Sequence, residues 1–443
     1  MKRYGNLFDR LCTIDNINLA DDNARKGKVK RYSIKKHDDN KLFDNEQLVH
    51  ILCNRLYKTS KYKIDKIYEP KERIIYKLPY YPDRITHHAI INVTKDILTK
   101  TLINNTYSCI EGIGIHACAK DIKRALKYNK DDTKYCLKLD VTKFYPSIPH
   151  DKLKVCIRRK IKDKELLYLL DEIIESTDNI NVYKYDAKYL SKHKGVPIGN
   201  YLSQFFANLY LSELDHLCKE ELKCKFYYRY ADDIVILSSD KEFLRKVLIY
   251  IKLYLATIGL KVKPNYQIFP VDSRGIDFVG YVFYHTHTLI RKSIKLRITR
   301  LVNRYVNKKI TKKEFKVRMC AYFGWLKYAD SKHFLYTIQC KTGIKWSNWN
   351  GKEIGISKFY NKYVRIINII FYNKYYKICC VRNGKAYTIK SIDKTLLYSI
   401  LRCNKFPINF KIVKCNFRLY LKDRTKTIGK YKSKSATNVV CID

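Results

Sequence analysis

The sequence predicts an α+β fold with a mostly antiparallel sheet, followed by a small β-rich domain near the C-terminus. Strand-like and helical patterns alternate through residues 135–290 in the order strand, helix, helix, hairpin, helix, hairpin. Neither GxxxxGK[ST] nor GxGxxG occurs, which argues against a doubly wound nucleotide-binding fold. Residues 355–422 alternate in β fashion around a turn at Asn383-Gly384, which indicates a separate domain.

The N-terminal part of the chain, up to about residue 70, is polar and charged, with helical spacing in parts. A short β-like segment follows, ERIIYKLPYYPDR. The next stretch, ITHHAIINVTKDILTKTLI, starts after Asp83 and has apolar residues at helical spacing. The stretch CIEGIGIHACAKDIKRALKYN predicts a glycine-containing turn that leads into a helix.

The predicted sheet region begins with CLKLDVTKFYPSIPHDKLKVCIRRKI, which predicts a strand, a turn and a helix. A loop rich in Tyr and Lys is expected to run to residue 194. GVPIGNYLSQFFANLYLSELDHLCKEEL predicts a loop and one long helix, and FYYRYADDIVILSS predicts two strands joined by a tight turn. An amphipathic helix ending at Gly259 and a hairpin in DFVGYVFYHTHTLIRK complete the region.

The charge of the chain points to a polyanionic partner. Lys and Arg number 89 against 42 Asp and Glu, a net charge of +47. Residues 291–340 are helical in pattern and carry 14 Lys and Arg against 2 Asp and Glu, or +12. Nucleic acid is the favoured partner, and some of the 39 tyrosines and 18 phenylalanines could stack on bases. No apolar run reaches the ~18 residues of a membrane span, so no membrane partner is expected.

The 15 cysteines do not indicate disulfides or a cysteine-based zinc site. Cys379 and Cys380 are adjacent, Cys218 and Cys224 are too far apart for a CxxC pair, and no CxxC occurs. The N-terminal stretch MKRYGNLFDRL has no signal-peptide pattern. Reduced, mostly buried thiols and a cytoplasmic location are therefore expected.

Three carboxylates are the candidate catalytic groups. Asp140 ends an apolar strand, and Asp232 and Asp233 lie between an aromatic run and an apolar run in YADDIVIL. If the two strands are neighbours, the three carboxylates converge and repel one another unless cations neutralise them. Mg²⁺ prefers oxygen ligands, and a pair of such ions can stabilise phosphoryl transfer. An exposed Asp-Asp turn is the alternative interpretation.

These residues resemble the motifs of reverse transcriptases, over roughly residues 65 to 335. The matching segments, in order, are LDVTKFYPSI, GVPIGNYLSQFFANLYL, YADD, GLKVKP and FVGYVF. The resemblance implies a right-hand polymerase with fingers, palm and helical thumb, plus the C-terminal β-rich domain. The expected domains are 1–134 (N-terminal region and fingers), 135–285 (palm, with a fingers insertion at about 160–194), 286–345 (basic thumb) and 346–443 (β-rich accessory domain).

The resemblance also implies roles for individual residues. Asp140, Asp232 and Asp233 would bind two Mg²⁺ ions, which Mn²⁺ could replace. Tyr145 lies where the family keeps an aromatic ring that blocks a ribose 2′-OH, although a core aromatic is the alternative. Expected nucleotide-binding residues are Lys71, Arg73, Val141, Tyr145, Gln204 and Lys263. Expected template or primer contacts are Asn200, Ser203, Phe278, Gly280 and Tyr281.

The motif IGNxxSQ, residues 198–204, is similar to that of diversity-generating retroelement reverse transcriptases and related prokaryotic lineages. In the retroelement enzymes it accompanies error-prone copying opposite adenine, which makes Gln204 a candidate fidelity determinant. Glu111 departs from the basic residue expected before Gly112, and the chain continues for about a hundred residues past the thumb. No endonuclease cluster or RNase H carboxylate set is evident.

Several functions remain open at this stage. The first is RNA-directed DNA synthesis for a diversity-generating retroelement, and the second is an anti-phage defence reverse transcriptase acting on a cognate non-coding RNA. An inactive RNA-binding protein and an RNA-dependent RNA polymerase are less favoured, because the aspartates and Tyr145 are intact. Expected partners are an RNA template, a DNA or RNA primer, dNTPs and, for the first role, a small accessory protein. The β-rich tail is expected to hold nucleic acid or to dock a protein.

Overall fold

The computed structural model describes residues 2–68, 72–179 and 193–344, together with strand segments 365–372, 375–382, 385–391, 418–419 and 440–441. The chain divides into two compact units. One consists of residues 1–292 with 328–330, and the other of residues 293–327 with 331–443.

The first unit begins with helices and a hairpin that precede the central sheet. Thr13 caps the second helix by accepting a hydrogen bond from the Asn16 backbone. The fifth helix is mostly buried, including His87 and His88, and it packs against the second. Strand β1 was not predicted, and it pairs antiparallel with the predicted β-like segment. The bounds are α1 Phe8–Leu11, α2 Ile14–Arg25, α3 Tyr32–Asp38, α4 Lys41–Cys53, β1 Lys63–Tyr68, β2 Glu72–Lys77, α5 Ile85–Thr99 and α6 Ile115–Tyr128.

The central sheet has four antiparallel strands in the order β4-β5-β3-β6. Residues 234–237 of β5 are all buried, because the strand is covered on both faces. The antiparallel sheet predicted from the sequence is thus present. The strand bounds are β3 Tyr135–Leu139, β4 Phe226–Tyr230, β5 Asp233–Ser238 and β6 Gln267–Pro270.

Helices surround this sheet. The long amphipathic helix α12 packs against three of its strands, and its N-terminus is capped by Asp240. It ends at Thr257, two residues before Gly259, which has the left-handed φ of +78° typical of a helix C-terminus. The bounds are α7 Phe144–Ser147, α8 His150–Arg158, α9 Lys164–Glu175, α10 Tyr201–Tyr210, α11 Ser212–His216, α12 Lys241–Thr257 and α13 Val271–Arg274.

Three predictions about elements were wrong. The expected loop before residue 194 contains α9, whose buried leucines and isoleucines recur at helical spacing after the N-cap Asp163. The predicted single long helix is divided into α10 and α11, where the Ser212 hydroxyl donates to the Leu209 carbonyl. The last predicted hairpin has a third strand. Its strands are β7 Ile276–Phe278, β8 Tyr281–Phe283 and β9 Thr288–Ile290.

The second unit contains the predicted basic helices and a five-stranded sheet. In this sheet β11 and β12 are antiparallel with Arg382 opposite Lys385, so two residues join them. The turn residues themselves, Asn383 and Gly384, lie outside the described residues, as does much of the predicted accessory domain. The bounds are α14 Lys292–Val306, α15 Lys312–Tyr328, α16 Lys332–Thr342, β10 Arg365–Tyr372, β11 Tyr375–Arg382, β12 Lys385–Ser391, β13 Arg418–Leu419 and β14 Val440–Cys441.

Candidate active site

The pairing of β3 with β5 places the three aspartates at one edge of the sheet. Leu139 lies opposite Ile234, so Asp140 emerges from β3 beside the turn that joins β4 to β5. Asp232 lies in this turn and Asp233 begins β5. Ala231, which precedes them, has a left-handed φ of +56°, a conformation that costs energy for a residue with a Cβ.

The pKa values of the carboxyls at this edge of the sheet reflect burial and mutual repulsion. Burial, followed by the charge and hydrogen bond of Asp140, raises the pKa of Asp232 to about 7. Burial and Asp140 also raise the pKa of Asp233, while Lys138, Arg291 and Lys263 oppose this shift. Asp140 and Asp232 therefore lie close enough to affect each other's charge. Three oxygen-donor side chains whose charges repel fit the requirements of a hard divalent cation.

Lys263 forms two hydrogen bonds with Asp140, one through its backbone and one through its side chain. Its backbone N–H donates to the Asp140 carbonyl at 2.8 Å, and its Nζ donates to Asp140 Oδ2 at 2.9 Å. This hydrogen bond and the charge of Asp140 raise the pKa of Lys263. Val141 pairs with Val262, which continues the contact along the backbone. The GLKVKP segment therefore supplies a cation next to the carboxylates.

A buried ion pair behind the turn was missed by the sequence analysis. Arg229 and Asp215 both have fully buried side chains, and Arg229 Nη2 donates to Asp215 Oδ2 at 2.6 Å. Arg229 Nη1 donates to the Ala231 carbonyl at 3.0 Å and to Asn208 Oδ1 at 3.1 Å. The Tyr227 hydroxyl donates to Asp215 Oδ1 at 2.6 Å. The guanidinium thus holds the backbone immediately before Asp232.

A charged residue in the middle of an otherwise apolar or aromatic strand was the available sequence signal for this pair. Arg229 interrupts the run FYYRY, and an unpaired buried arginine would be costly. Its partner could not be identified, because Asp215 is brought to it only by the packing of α11 against the sheet.

Tyr145 lies beside the carboxylates. Its pKa is raised by burial first, and then by the charges of Cys109 and Asp232, which places the phenol near the cluster. Its carbonyl accepts a hydrogen bond from the Val196 N–H at 2.9 Å. Val141, by contrast, is 2% exposed, so that a nucleotide could reach only its backbone.

The loop at residues 198–200 is hydrogen-bonded to the β1–β2 hairpin. The Tyr76 N–H donates to the Ile198 carbonyl at 2.8 Å, and Asn200 Nδ2 donates to the Tyr62 hydroxyl at 3.1 Å. Gly199 has a φ of +119°, and a Cβ there would lie 2.7 Å from the Tyr76 carbonyl oxygen. Beyond this loop, Ser203 is buried whereas Gln204 is exposed on α10.

The remaining candidate residues occupy different environments. Arg73 is exposed on β2, and Lys71 lies outside the described residues. Phe278 and Tyr281 have relative exposures of 1% and 0% and belong to the core, so their side chains cannot contact a primer in this conformation. Only backbone groups near Gly280, whose φ is +83°, could make such a contact.

Glu111, where a basic residue was expected, forms an ion pair with Lys95. The hydrogen bond to Lys95 lowers the pKa of Glu111. The pair lies at the surface, where its contribution to stability is small.

The family of the chain follows from its sequence. Residues 59–283, half of the chain, match the family model described as reverse transcriptase (RNA-dependent DNA polymerase). The chain belongs to this family. It is therefore an RNA-directed DNA polymerase, a member of a family that uses divalent metal ions and binds template RNA. The predicted fold class, an α+β right-hand polymerase, is confirmed by this assignment and by the antiparallel sheet.

Two curated proteins are similar in sequence. The retron Ec73 reverse transcriptase of Escherichia coli is 28% identical over 271 residues, which cover 55% of this chain and 79% of that protein. An uncharacterized 91 kDa protein in the cob intron of Schizosaccharomyces pombe is 37% identical over 93 residues, or 20% of this chain and 10% of that protein.

Solved telomerase structures also have detectable similarity. Apo telomerase from Candida tropicalis matches 52% of this chain and 48% of its own, with 16% identity and a TM-score of 0.39. Telomerase from Candida albicans, in complex with a TWJ fragment of telomeric RNA, matches 65% and 60%, with 13% identity and a TM-score of 0.42. The chain thus spans about half the length of these telomerases.

Within the described residues, no helix is both long and apolar enough to cross a bilayer. The described cysteines form no disulfide. Four of them, Cys118, Cys136, Cys218 and Cys224, are buried, whereas Cys53, Cys320 and Cys340 are exposed.

Proposed function

We propose that this reverse transcriptase binds two Mg²⁺ ions, which Mn²⁺ could replace, through Asp140, Asp232 and Asp233. The observation that carries this proposal is the convergence of three carboxylates, one of which has a pKa raised to about 7. Bound divalent ions would stabilise the charge on the attacking and leaving oxygens during phosphoryl transfer. The chain's own task is to hold the carboxylates close together, and the bound cations would favour their ionised forms.

The nucleotide would be held by groups around this cluster. Lys263 is adjacent to Asp140 and is our candidate for the triphosphate, with Arg73 and Lys71 on the fingers side. Tyr145 would exclude ribonucleotides by filling the space of a 2′-OH. Replacing it with alanine (Tyr145→Ala) should increase incorporation of rNTPs relative to dNTPs. An unchanged ratio would exclude that role.

Template and primer would lie along the neighbouring loop and strands. We assign the template side to the exposed Gln204, and the primer side to the backbone around Gly280. Asn200 and Ser203, which are 6% and 3% exposed, would support the template side from beneath. In this proposal residues 1–134 and 160–194 serve as fingers, 135–285 as palm and 286–345 as thumb. The β-rich region, residues 346–443, would contact nucleic acid through its charge. Deleting it should weaken RNA binding, and unchanged binding would favour a docking role.

For the biological role, we propose cDNA synthesis for a diversity-generating retroelement, acting in the cytoplasm with a small accessory protein. The supporting observation is the IGNxxSQ motif, in which Gln204 is exposed and follows the loop fixed to Tyr76. An exposed amide at this place could contact the template base or the incoming nucleotide.

An anti-phage defence enzyme that copies a cognate non-coding RNA is the second candidate role. It is favoured by the similarity to the retron Ec73 reverse transcriptase, which extends over 79% of that protein.

Sequencing of cDNA made on a defined RNA template separates the two roles. Errors concentrated at template adenines, and reduced in Gln204→Ala, would support the diversity-generating role. Accurate copying by both proteins would exclude it and favour the second candidate. Co-purification from cells that express the neighbouring genes would show whether a small protein or a structured RNA accompanies the enzyme.

A further inference from the structure

A second group of potential metal ligands lies outside the carboxylate cluster. His150 begins α8, Asp178 follows α9, and His193 precedes the GVPIGN segment. One ligand atom from each residue can be chosen so that all three lie within 4.8 Å of one another. His193 Nδ1 is 3.0 Å from Asp178 Oδ2, and His150 Nδ1 is 3.8 Å from Asp178 Oδ1.

The protonation of His150 is determined by its other nitrogen. His150 Nε2 lies 2.9 Å from the Gly195 carbonyl oxygen, which can only accept a hydrogen bond, so Nε2 carries the proton. In the neutral ring, Nδ1 then has no proton and carries a lone pair that can accept a hydrogen bond or bind a metal ion. This arrangement, with one nitrogen donating to a backbone carbonyl and the other free, is the one that orients histidines for metal binding.

The free nitrogen of His150 has no hydrogen-bond partner among the described residues. The side chain is 3% exposed, and Nδ1 is buried. It faces a carboxylate oxygen, so two electron-rich atoms oppose each other without a proton between them. A cation would satisfy Nδ1, and it could also bind Asp178 Oδ1, which already accepts the His193 backbone N–H at 2.8 Å.

We propose that His150 Nδ1, Asp178 and His193 Nδ1 bind one Zn²⁺ ion, with water as a fourth ligand. Two imidazoles and a carboxylate suit zinc better than magnesium. Ligands at about 2.0 Å in a tetrahedron are about 3.3 Å apart. The observed separations of 3.0 Å to Asp178 Oδ2 and 3.8 Å to Asp178 Oδ1 involve different carboxylate oxygens, so Asp178 must rotate for one oxygen to serve as the shared ligand. Small side-chain movements would complete the site.

The ion would stabilise the position of a segment that leads to the catalytic centre. Asp178 and His193 are 15 positions apart, so the site closes a loop in the chain. The residues after His193 pair with the stretch that carries Tyr145, through Gly195 N–H to Ile148 at 2.8 Å and Val196 N–H to Tyr145 at 2.9 Å. Zinc is therefore expected to have a structural role.

Metal binding by the purified full-length protein tests this proposal. After removal of metals with a chelator, zinc would be titrated against a chromophoric competitor in an Asp232→Asn/Asp233→Asn background, which removes carboxylates of the other site. We expect one zinc ion per chain, and thermal unfolding at a higher temperature when zinc is bound.

His193→Asn is the decisive variant, because His193 is 70% exposed and its left-handed φ of +60° suits asparagine. Zinc should bind at least about tenfold more weakly to it, with no thermal stabilisation. His50→Asn, which removes an exposed imidazole on α4, should bind as the parent does. Equal zinc binding by the parent, His193→Asn and His50→Asn proteins would overturn the proposal, and so would the absence of zinc binding in all three. The three residues would then be connected only by hydrogen bonds.

Discussion

At the residue scale, Asp232 carries an energetic cost that metal binding would remove. The unfolded chain ionises this carboxyl near 3.8, whereas the folded protein keeps it protonated up to about 7. The folded state therefore binds more protons between these values, and the free energy of unfolding falls as the pH rises through them. Above the folded pKa the cost is complete.

Replacing Asp232 with asparagine should therefore stabilise the metal-free protein while abolishing polymerisation. In the presence of a chelator, Asp232→Asn should unfold at a higher temperature than wild type at pH 8, with a smaller difference at pH 5. The measurement is thermal unfolding at both pH values. Asp131→Asn is the control. Asp131 is 96% exposed, so its replacement should leave the unfolding temperature unchanged at both pH values. A stabilisation that does not depend on pH would contradict the assigned cause.

Arg229 makes the second prediction at this scale, as a positioning residue. Arg229→Met leaves Asp215 buried without its partner, which should cost about 3–5 kcal/mol of stability. The double variant Arg229→Met/Asp215→Leu removes both charges and should recover part of that loss. Its kcat should nevertheless stay at least about tenfold below wild type, because the Ala231 carbonyl has lost the donor that fixes the catalytic turn.

Polymerisation kinetics and thermal unfolding of both variants provide the measurement. Arg245→Met is the matched control, because its ion pair with Glu242 is exposed and contributes little. If the double variant were stable and had wild-type kcat, the ion pair would be structural only.

At the element scale, the junction between the 198–200 loop and β2 depends on a glycine. Gly199→Ala should destabilise the protein by about 1–3 kcal/mol, because the new Cβ would meet the Tyr76 carbonyl oxygen at 2.7 Å in addition to the strain of a positive φ. Gly112→Ala tests the φ effect alone, since nothing lies within 4 Å of a Cβ there. The unfolding temperature of Gly199→Ala should be well below that of Gly112→Ala. Equal unfolding temperatures would argue against the close contact with Tyr76.

The elements also show how far the sequence could be interpreted. Strands β3, β4 and β5 were predictable, since apolar runs bounded by turn residues have few other interpretations. Helix α9 was missed because its segment was read with the Tyr- and Lys-rich stretch that follows, although Leu166, Leu170 and Ile173 have helical spacing. Strand β1 was missed because KIDKIY is mostly exposed and gains its structure from pairing with β2.

At the scale of the whole molecule, the order of motifs predicted the family, and strand pairing was needed to show which side chains meet. The convergence of Asp140 with Asp232 was expected from the motifs. The pairing of Arg229 with Asp215, and of His150 with Asp178 and His193, was not, because these contacts join segments by packing and have no local pattern. Phe278 and Tyr281 illustrate the opposite case, since a motif match predicted contacts for side chains that the fold buries.

Primer extension tests the central claim most directly. A primed RNA template, dNTPs and Mg²⁺ would be given to wild type, to Asp232→Asn and to the exposed control Asp131→Asn. We predict templated cDNA from wild type and the control, and a rate at least about a thousandfold lower for Asp232→Asn, because a carboxylate that neutralises the metal charge is lost. Templated cDNA made by Asp232→Asn at the wild-type rate would contradict the assignment of the catalytic site.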